Sequence, residues 1–523
     1  MNEHRGTMST NTASIAGHKE REKRRRKKAT ATAPELYMNT LAESERHTVD
    51  AYFQRLAQYI DLPKSQHEDM ERDFIKALQY YESTGVTIEE ATERMALHKL
   101  GGFYAHPPLR WYSLDSAAKI YPMSMGYRRM SMFRLAVYLK EQIVPELLQI
   151  ALTFTIKRFP SFATTLKRGF FWHYLDSTKR RFVIEPESGH PCKPLIIHTS
   201  GSQSFRVQYY RNRISAEFFH VLTDARGGMV FLNTLTAEYL RLLGHDIPEG
   251  NGVFDIGAAP NECETRDEFR RFEQRRKGSG FRQGRALQMS GRLSRNRPCQ
   301  VLHFELELPA LLNYARSKNT TITGLMVALM FLACKFATEE NRGDIRIQVP
   351  VNMRKFYDSR TIRNFAMYCG ISLKLSEITT LEEILPEIDR QLTERSAQEV
   401  MEEMAVSAVN IVRSVRFLPL FIKRPVAAAL HGFLGENAFT NTFSNIGAVD
   451  LPLQMAKHIE KFDFVLGSGT VNRAYCGIVS FAETAVLSVT KLTVNPSFED
   501  KMYELLVGCG LSPKVSGSVL HED

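Results

Sequence analysis

Residues 218–228 read FFHVLTDARGG and bring together side chains with chemical capacity. His220 closes an apolar strand, Asp224 follows four residues later, and Gly227 and Gly228 supply turn chemistry before a helix. A neutral imidazole can take a proton from an alcohol, amine or thiol, and its ordinary pKa near 6.5 suits a base at neutral pH. Junctions between strand and helix are also where ligands gather on sheet proteins. Asp224 could orient the ring or tighten the loop. The spacing alone fits a satisfied structural histidine as well as a catalytic one.

Other chemistries lack their groupings. The seven cysteines (192, 263, 299, 334, 369, 476 and 509) are scattered, with no CxxC pair and no Cys/His cluster. Neither a disulfide framework nor a zinc site is expected, and a reducing, cytoplasmic setting fits. Walker, HExxH, GxSxG and Rossmann patterns are all missing, which removes support for nucleotide hydrolysis, metalloprotease, serine hydrolase and dehydrogenase readings.

The elements around His220 read as alternating strands and helices. FRLAVYLKEQI (133–143) alternates as a strand, and VPELLQIALTFTIKRFP (144–160) reads as a helix stopped by Pro160. KPLIIHTS (193–200) and FRVQYYRNRISAEFFH (205–220) read as further strands. Beyond the quoted loop, a helix buries Leu232, Leu235, Tyr239 and Leu242 and ends at Gly244. The later part repeats this grammar: strands at VLHFELEL, DIRIQVPVN, MYCGISLKL and FTNTFSNIG, an apolar helix from near Thr323, helices over 380–434, and a last helix at 497–507. This implies an α+β fold of two similar halves, 108–250 and 301–512, with a basic connecting segment at 251–300 and a tail at 513–523.

Before Trp111 the pattern differs. Residues 34–107 form a helical extension, with Val49, Tyr52, Phe53, Leu56 and Ile60 on one stripe, then Phe74, Leu78 and Tyr81 on another. Thr87 is expected to cap a helix while Glu90 reaches back. Residues 1–33 are too poor in apolar side chains to order themselves. Their run from His18 to Lys28 carries eight Lys and Arg against two Glu, a net +6 of the chain's +10. The body is therefore only mildly basic, and a weak contact with an anionic surface is the most the run implies. No stretch of about 18 apolar residues suggests a membrane span.

Six segments, in order, carry a resemblance: WYSLDSAAKIYPMSM (111–125), FRLAVYLKEQIVPELLQIAL (133–152), RFPSFATTLKRGFFWHYLD (158–176), EFFHVLTDARGGMVFLNTLTAEYLRLLG (217–244), PVNMRKFYDSRTIRNF (350–365) and NTFSNIGAV (441–449). The chain resembles the CoA-dependent acyltransferase superfamily of chloramphenicol acetyltransferases and condensation domains, and within it bacterial alcohol acetyltransferase-like proteins. That resemblance implies two chloramphenicol-acetyltransferase-like halves with mixed sheets around a central channel. It implies transfer of an acyl group, acetyl by family habit, from a CoA thioester to a hydroxyl or amine. His220 would be the general base, with no covalent intermediate, no metal and no permanently bound cofactor; acyl-CoA is a co-substrate. Asp224 would turn away from substrate and pair with Arg354, whose fork suits a carboxylate. Ser444 would stabilise the oxyanion, with Thr442 and Asn445 as other channel donors. The partners implied are acyl-CoA and a small alcohol or amine, not nucleic acid. The basic stretch 270–285 could meet CoA phosphates, though a solvated loop accounts for it equally.

Two departures stand out. The family pattern commonly has Gly after the Asp, where this chain has Ala225 and then Arg226. An alanine forced to positive φ is strained, so this loop is expected to differ and Arg226 to crowd or charge the channel mouth. A second His that often precedes the base is Phe219. Two alternatives therefore stay open: a condensation-type transferase fed by a carrier protein, and an inactive member that only binds a ligand or partner.

Overall fold

The computed structural model describes residues 33–101, 111–125, 130–178, 180–195, 203–273, 284–423, 436–467, 469 and 471–520. The basic run 18–28, most of the strand expected at 193–200, residues 274–283 of the basic stretch and the end of the helical segment 380–434 lie outside them. The chain divides into two compact units, Met1–Leu97 and His98–Asp523.

The first unit contains helices α1 (Ala33–Met38), α2 (Glu43–Tyr59), α3 (Lys64–Ser83) and α4 (Ile88–Arg94). Val49, Tyr52 and Leu56 of α2 are buried with Phe74, Leu78 and Tyr81 of α3, while Phe53 and Ile60 are only half-buried. Thr87 caps α4 by accepting from the Glu90 amide. The Glu90 carboxylate turns to Arg94 instead of reaching back to the cap, because the arginine lies one turn along the same face.

The second unit is α+β with mixed sheets. Its strands are β1 (Trp111–Ser113), β2 (Met132–Leu139), β3 (Thr164–Arg168), β4 (His173–Ser177), β5 (Ile184–Pro186), β6 (Phe205–Tyr210), β7 (Arg213–Phe219), β8 (Gln300–Glu307), β9 (Asp344–Asn352), β10 (Ala366–Lys374), β11 (Asn441–Ala448), β12 (Ile459–Leu466), β13 (Ala474–Phe481), β14 (Thr484–Lys491) and β15 (Lys514–Gly517). Its helices are α5 (Tyr121–Ser124), α6 (Pro145–Thr155), α7 (Ala225–Leu242), α8 (Leu308–Ser317), α9 (Ile322–Phe336), α10 (Leu381–Arg395), α11 (Gln398–Ser414), α12 (Leu453–Ala456) and α13 (Ser497–Gly508). Among the described residues three sheets form: the first in the order β12-β2-β7-β6-β5, the second β10-β9-β11-β13-β14-β8-β15, and a small third β1-β4-β3. No single helix among the described residues is long and apolar enough to cross a membrane.

Three local outcomes differ from the pattern reading. The run 205–220 is a hairpin, not one strand, because Arg211 adopts φ 51° in the turn between β6 and β7. Residues 514–517 are not a loose tail but the edge strand β15, paired antiparallel to β8. Strand β12, from the second half of the chain, adds to the first sheet, aligning Phe464 with Leu135 of β2.

Alternation along β2 explains that crossover. Phe133 and Phe218 pack with Phe162, Phe205 and Phe231 beneath α7. On the opposite face Arg134 is buried in ion pairs with Glu187 and Glu217, and Tyr138 donates to Asp463 of β12 at 2.7 Å. Lys461 of β12 in turn meets Glu305 of β8 at 2.5 Å. Buried charges persist only when paired, so these contacts fix which strands lie side by side.

Candidate active site

His220 sits just past β7, where its backbone amide donates to the Ser131 carbonyl at 2.9 Å and prolongs the pairing with β2. Its half-buried ring stacks on Tyr121 at 5.1 Å between centroids and lies against Phe133 at 4.8 Å. A loop from the later part of the chain, 361–365, closes the other side.

That loop dictates the state of the imidazole. Asn364 Nδ2 donates to two acceptors, the His220 carbonyl at 2.8 Å and Asp115 Oδ2 at 3.2 Å. Its Oδ1 is thereby turned to His220 Nδ1, 3.2 Å away. An amide oxygen only accepts, so Nδ1 must carry the proton and the neutral ring holds its lone pair on Nε2. Burial lowers the His220 pKa below its ordinary value; Asn364, Asp224 and the Thr223 backbone oppose the shift without cancelling it. The ring is thus a neutral base at neutral pH. Asp115, fully buried, has its pKa pushed up to about 6, first by burial and then against the pull of Arg363.

Asp224 does not touch the ring. It is the N-cap of α7: Oδ1 accepts from Gly227 N at 3.1 Å, and Oδ2 accepts from Phe365 N and Arg354 Nη1, both at 2.8 Å. The Arg354 contact is through one nitrogen, not a bidentate fork. The remaining nitrogens donate to the carbonyls of Thr361 and Arg363 at 2.9 and 2.6 Å, so one guanidinium ties Asp224 to the 361–365 loop.

The strain expected after Asp224 does not arise. Asp224 has extended backbone, φ −94° and ψ 178°, and Ala225 is already the first residue of α7, so no positive φ is required there. The demand for glycine falls instead on Gly227. A Cβ there would lie 1.9 Å from the Ile362 carbonyl oxygen and 2.3 Å from Thr223 Oγ1. At Gly228 it would press on Phe218, Leu135 and Phe133 at 3.0–3.2 Å. The glycine pair lets α7 begin against both the 361–365 loop and the first sheet.

Strand β11 supplies the second group of candidates. It runs parallel to β9 but pairs with it only at Asn441–Ile347 and Thr442–Gln348, although β9 continues to Asn352. The two strands therefore splay toward their carboxyl ends, the end of β9 that leads to Arg354. Phe443 is buried in the core, which puts Thr442 and Ser444 on the other face. Thr442 Oγ1 is occupied by Gln348 Oε1 at 3.1 Å. Asn445 is spent on local structure: Nδ2 donates to Thr323 Oγ1 and Oδ1 accepts from Gly447 N across a bulge where Gly447 has φ 86°. Ser444 is buried, and its hydroxyl has no partner among the described residues. Beyond the bulge, Ile446, Ala448 and Val449 face Arg226, Val230 and Asn233 of α7 across a cavity of about 270 Å³. Arg226 is exposed at its edge, so it charges this cavity without filling it.

No protein-family model and no curated protein matches the chain. Solved structures do. TRI101 of F. sporotrichioides, complexed with Coenzyme A and T-2, aligns with TM-score 0.54 and 10% identity over 78% of this chain and 99% of that one. Polyketide synthase associated protein 5 from Mycobacterium tuberculosis aligns with TM-score 0.51 and 12% identity over 76% and 97%. A mutant starter condensation domain of rhizomide synthetase RzmA, in complex with C8-CoA and Leu-SNAC, aligns with TM-score 0.51 and 11% identity over 76% and 94%. The chain has the fold shared by CoA-dependent acyltransferases and condensation domains. At such identities the likeness extends to the fold alone.

Within this fold, pattern reading missed the residues that set the imidazole: Asn364, Asp115 and Tyr121. Asn364 and Asp115 lie in segments singled out above, but nothing in TIRNF or YSLDS marks them, since the bonds join positions 144 and 249 residues apart. Of the basic stretch, Arg270 and Arg271 are both exposed, and Arg271 is paired with Glu268 and lies over the rings of Tyr357 and Phe365. Among the described residues no three His, Cys, Asp or Glu side chains converge as a metal site.

Proposed function

We propose that the protein is an acyltransferase that moves an acyl group, acetyl by preference, from a CoA thioester to a hydroxyl or amine. The observation that carries this reading is the Asn364–His220 contact, which leaves the base lone pair on Nε2. His220 takes the acceptor's proton as its oxygen or nitrogen attacks the thioester carbonyl. The new C–O or C–N bond forms while the carbonyl π pair moves to oxygen, giving a tetrahedral oxyanion. The free hydroxyl of Ser444 is the donor for that oxygen. Collapse breaks the C–S bond, and the imidazolium returns its proton to the CoA thiolate. Asp224 and Arg354 act as positioning residues, and Gly227 and Gly228 allow the approach of α7.

In the same reading, residues 108–250 and 301–512 are the two halves of the transferase, 251–300 joins them, and the splay between β9 and β11 opens onto the channel. The scattered cysteines fit work in the cytoplasm. The experiment is thiol release from acetyl-CoA across a panel of alcohols and amines, beside His220→Ala. Turnover should fall by about 10²-fold or more with the fold preserved. Near-normal turnover in the variant would sink the mechanism. Release only with a carrier-bound donor would favour condensation chemistry, and CoA binding without release an inactive member.

A further inference from the structure

Two exposed apolar tips lie side by side, and neither has a part in the reading given above. One is the β3–β4 turn, KRGFFW (167–172), closed by Gly169 N donating to the Trp172 carbonyl at 3.0 Å. The other, RFLPLFIK (416–423), follows α11. Leu420 N donates to the Phe170 carbonyl at 2.8 Å and Lys423 Nζ to the Phe171 carbonyl at 2.8 Å. The buried Lys423 ammonium also sits 3.5 Å from the centre of the Trp172 ring. The two segments are thus locked together before any partner arrives.

What they present is unusual for a water-facing surface. Phe170 is 67% exposed, Phe417 72% and Phe421 63%, with Phe171, Leu418 and Ile422 at 40–43%. Contiguous exposure of this kind marks an interaction site, because each such side chain gives up favourable burial. The polar residues beside it are basic: Arg168, Arg413 and Arg416 are exposed. No acidic residue occurs between Glu146 and Asp176 or between Glu403 and Glu436. At its margins Lys167 meets Asp176 at 3.4 Å and Arg413 donates to the Glu273 carbonyl at 3.1 Å.

We propose that these two tips dock the protein on an anionic phospholipid surface, with the phenylalanines entering the headgroup–acyl boundary and the arginines meeting phosphate and serine headgroups. A lipid surface supplies hydrocarbon and negative charge together without demanding shape complementarity, which suits two protruding tips. Aromatic side chains favour that boundary. The inference does not depend on the acyltransferase reading.

The test is co-sedimentation of the full chain with vesicles of phosphatidylcholine alone and of phosphatidylcholine mixed with phosphatidylserine. Binding is expected to the mixed vesicles and to weaken with salt. The pair Phe417→Ser and Phe421→Ser should cut it by about tenfold or more, with an unchanged thermal melt. Absence of binding to the mixed vesicles overturns the proposal. Undiminished binding by the variant also overturns it, and shows that another segment, such as the 18–28 run, holds the membrane. A concentration-dependent dimer that the two substitutions convert to monomer, without vesicle binding, assigns the patch to a second copy of the chain and overturns it as well.

Discussion

Replacing Asn364 by Ala isolates the contact that sets the imidazole. The substitution removes the acceptor of His220 Nδ1 and the donor to the His220 carbonyl and Asp115 Oδ2. A net hydrogen bond is worth about 0.5–1.5 kcal/mol. Losing the bias toward the productive tautomer should therefore lower kcat/KM by roughly 2- to 13-fold, since about 1.4 kcal/mol is a factor of ten. Stability should also fall by about 2 kcal/mol or more, because two buried acceptors lose their donor. The pH profile separates positioning from general damage. Asn364 raises the His220 pKa against the lowering by burial, so its removal lets that pKa fall further. A base works above its pKa, so the acid limb of kcat/KM, already below the ordinary histidine value near 6.5, should move to still lower pH while the plateau drops. The assay is thiol release from acetyl-CoA with an active acceptor over a range of pH. An unchanged plateau with an unmoved limb would refute the reasoning, as would a limb that moves up.

Two further substitutions test the frame around the base. Asp224→Ala leaves the half-buried Arg354 without its carboxylate and removes the cap of α7, and should destabilise by about 3–5 kcal/mol in a guanidinium melt. Asp224→Asn keeps an acceptor for Gly227 N while giving up the charge that faces Arg354, and should cost less by about the worth of the cap; equal losses would contradict the capping argument. Gly227→Ala brings a methyl to 1.9 Å from the Ile362 carbonyl, which must shift the 361–365 loop and with it Asn364. Activity should fall more than in Gly228→Ala, whose neighbours are side chains at 3.0 Å or beyond; the reverse order in kcat/KM would count against the loop as the positioning element.

Much of the frame follows from local sequence. Alternation and amphipathic spacing identify β2, β9, α7 and α9, because strand and helix periods are local properties of a chain. The His220–Asp224 spacing and the glycine pair mark the turn, and the paired positions of Asp224 and Arg354 follow from resemblance to a known pattern. Local spacing misjudged Ala225, because whether a residue needs positive φ depends on where the helix starts, and here Asp224 is the cap and Ala225 is already helical. The tertiary structure alone decided which candidate donors remain free: Gln348 takes Thr442 and Thr323 takes Asn445, while Ser444 is left unpaired among the described residues. It also decided the tautomer of His220, through Asn364 and Asp115, and the place of β12 in the first sheet. These outcomes depend on hydrogen bonds and ion pairs between residues more than ninety positions apart, whose energies arise only once folding has removed the groups from water.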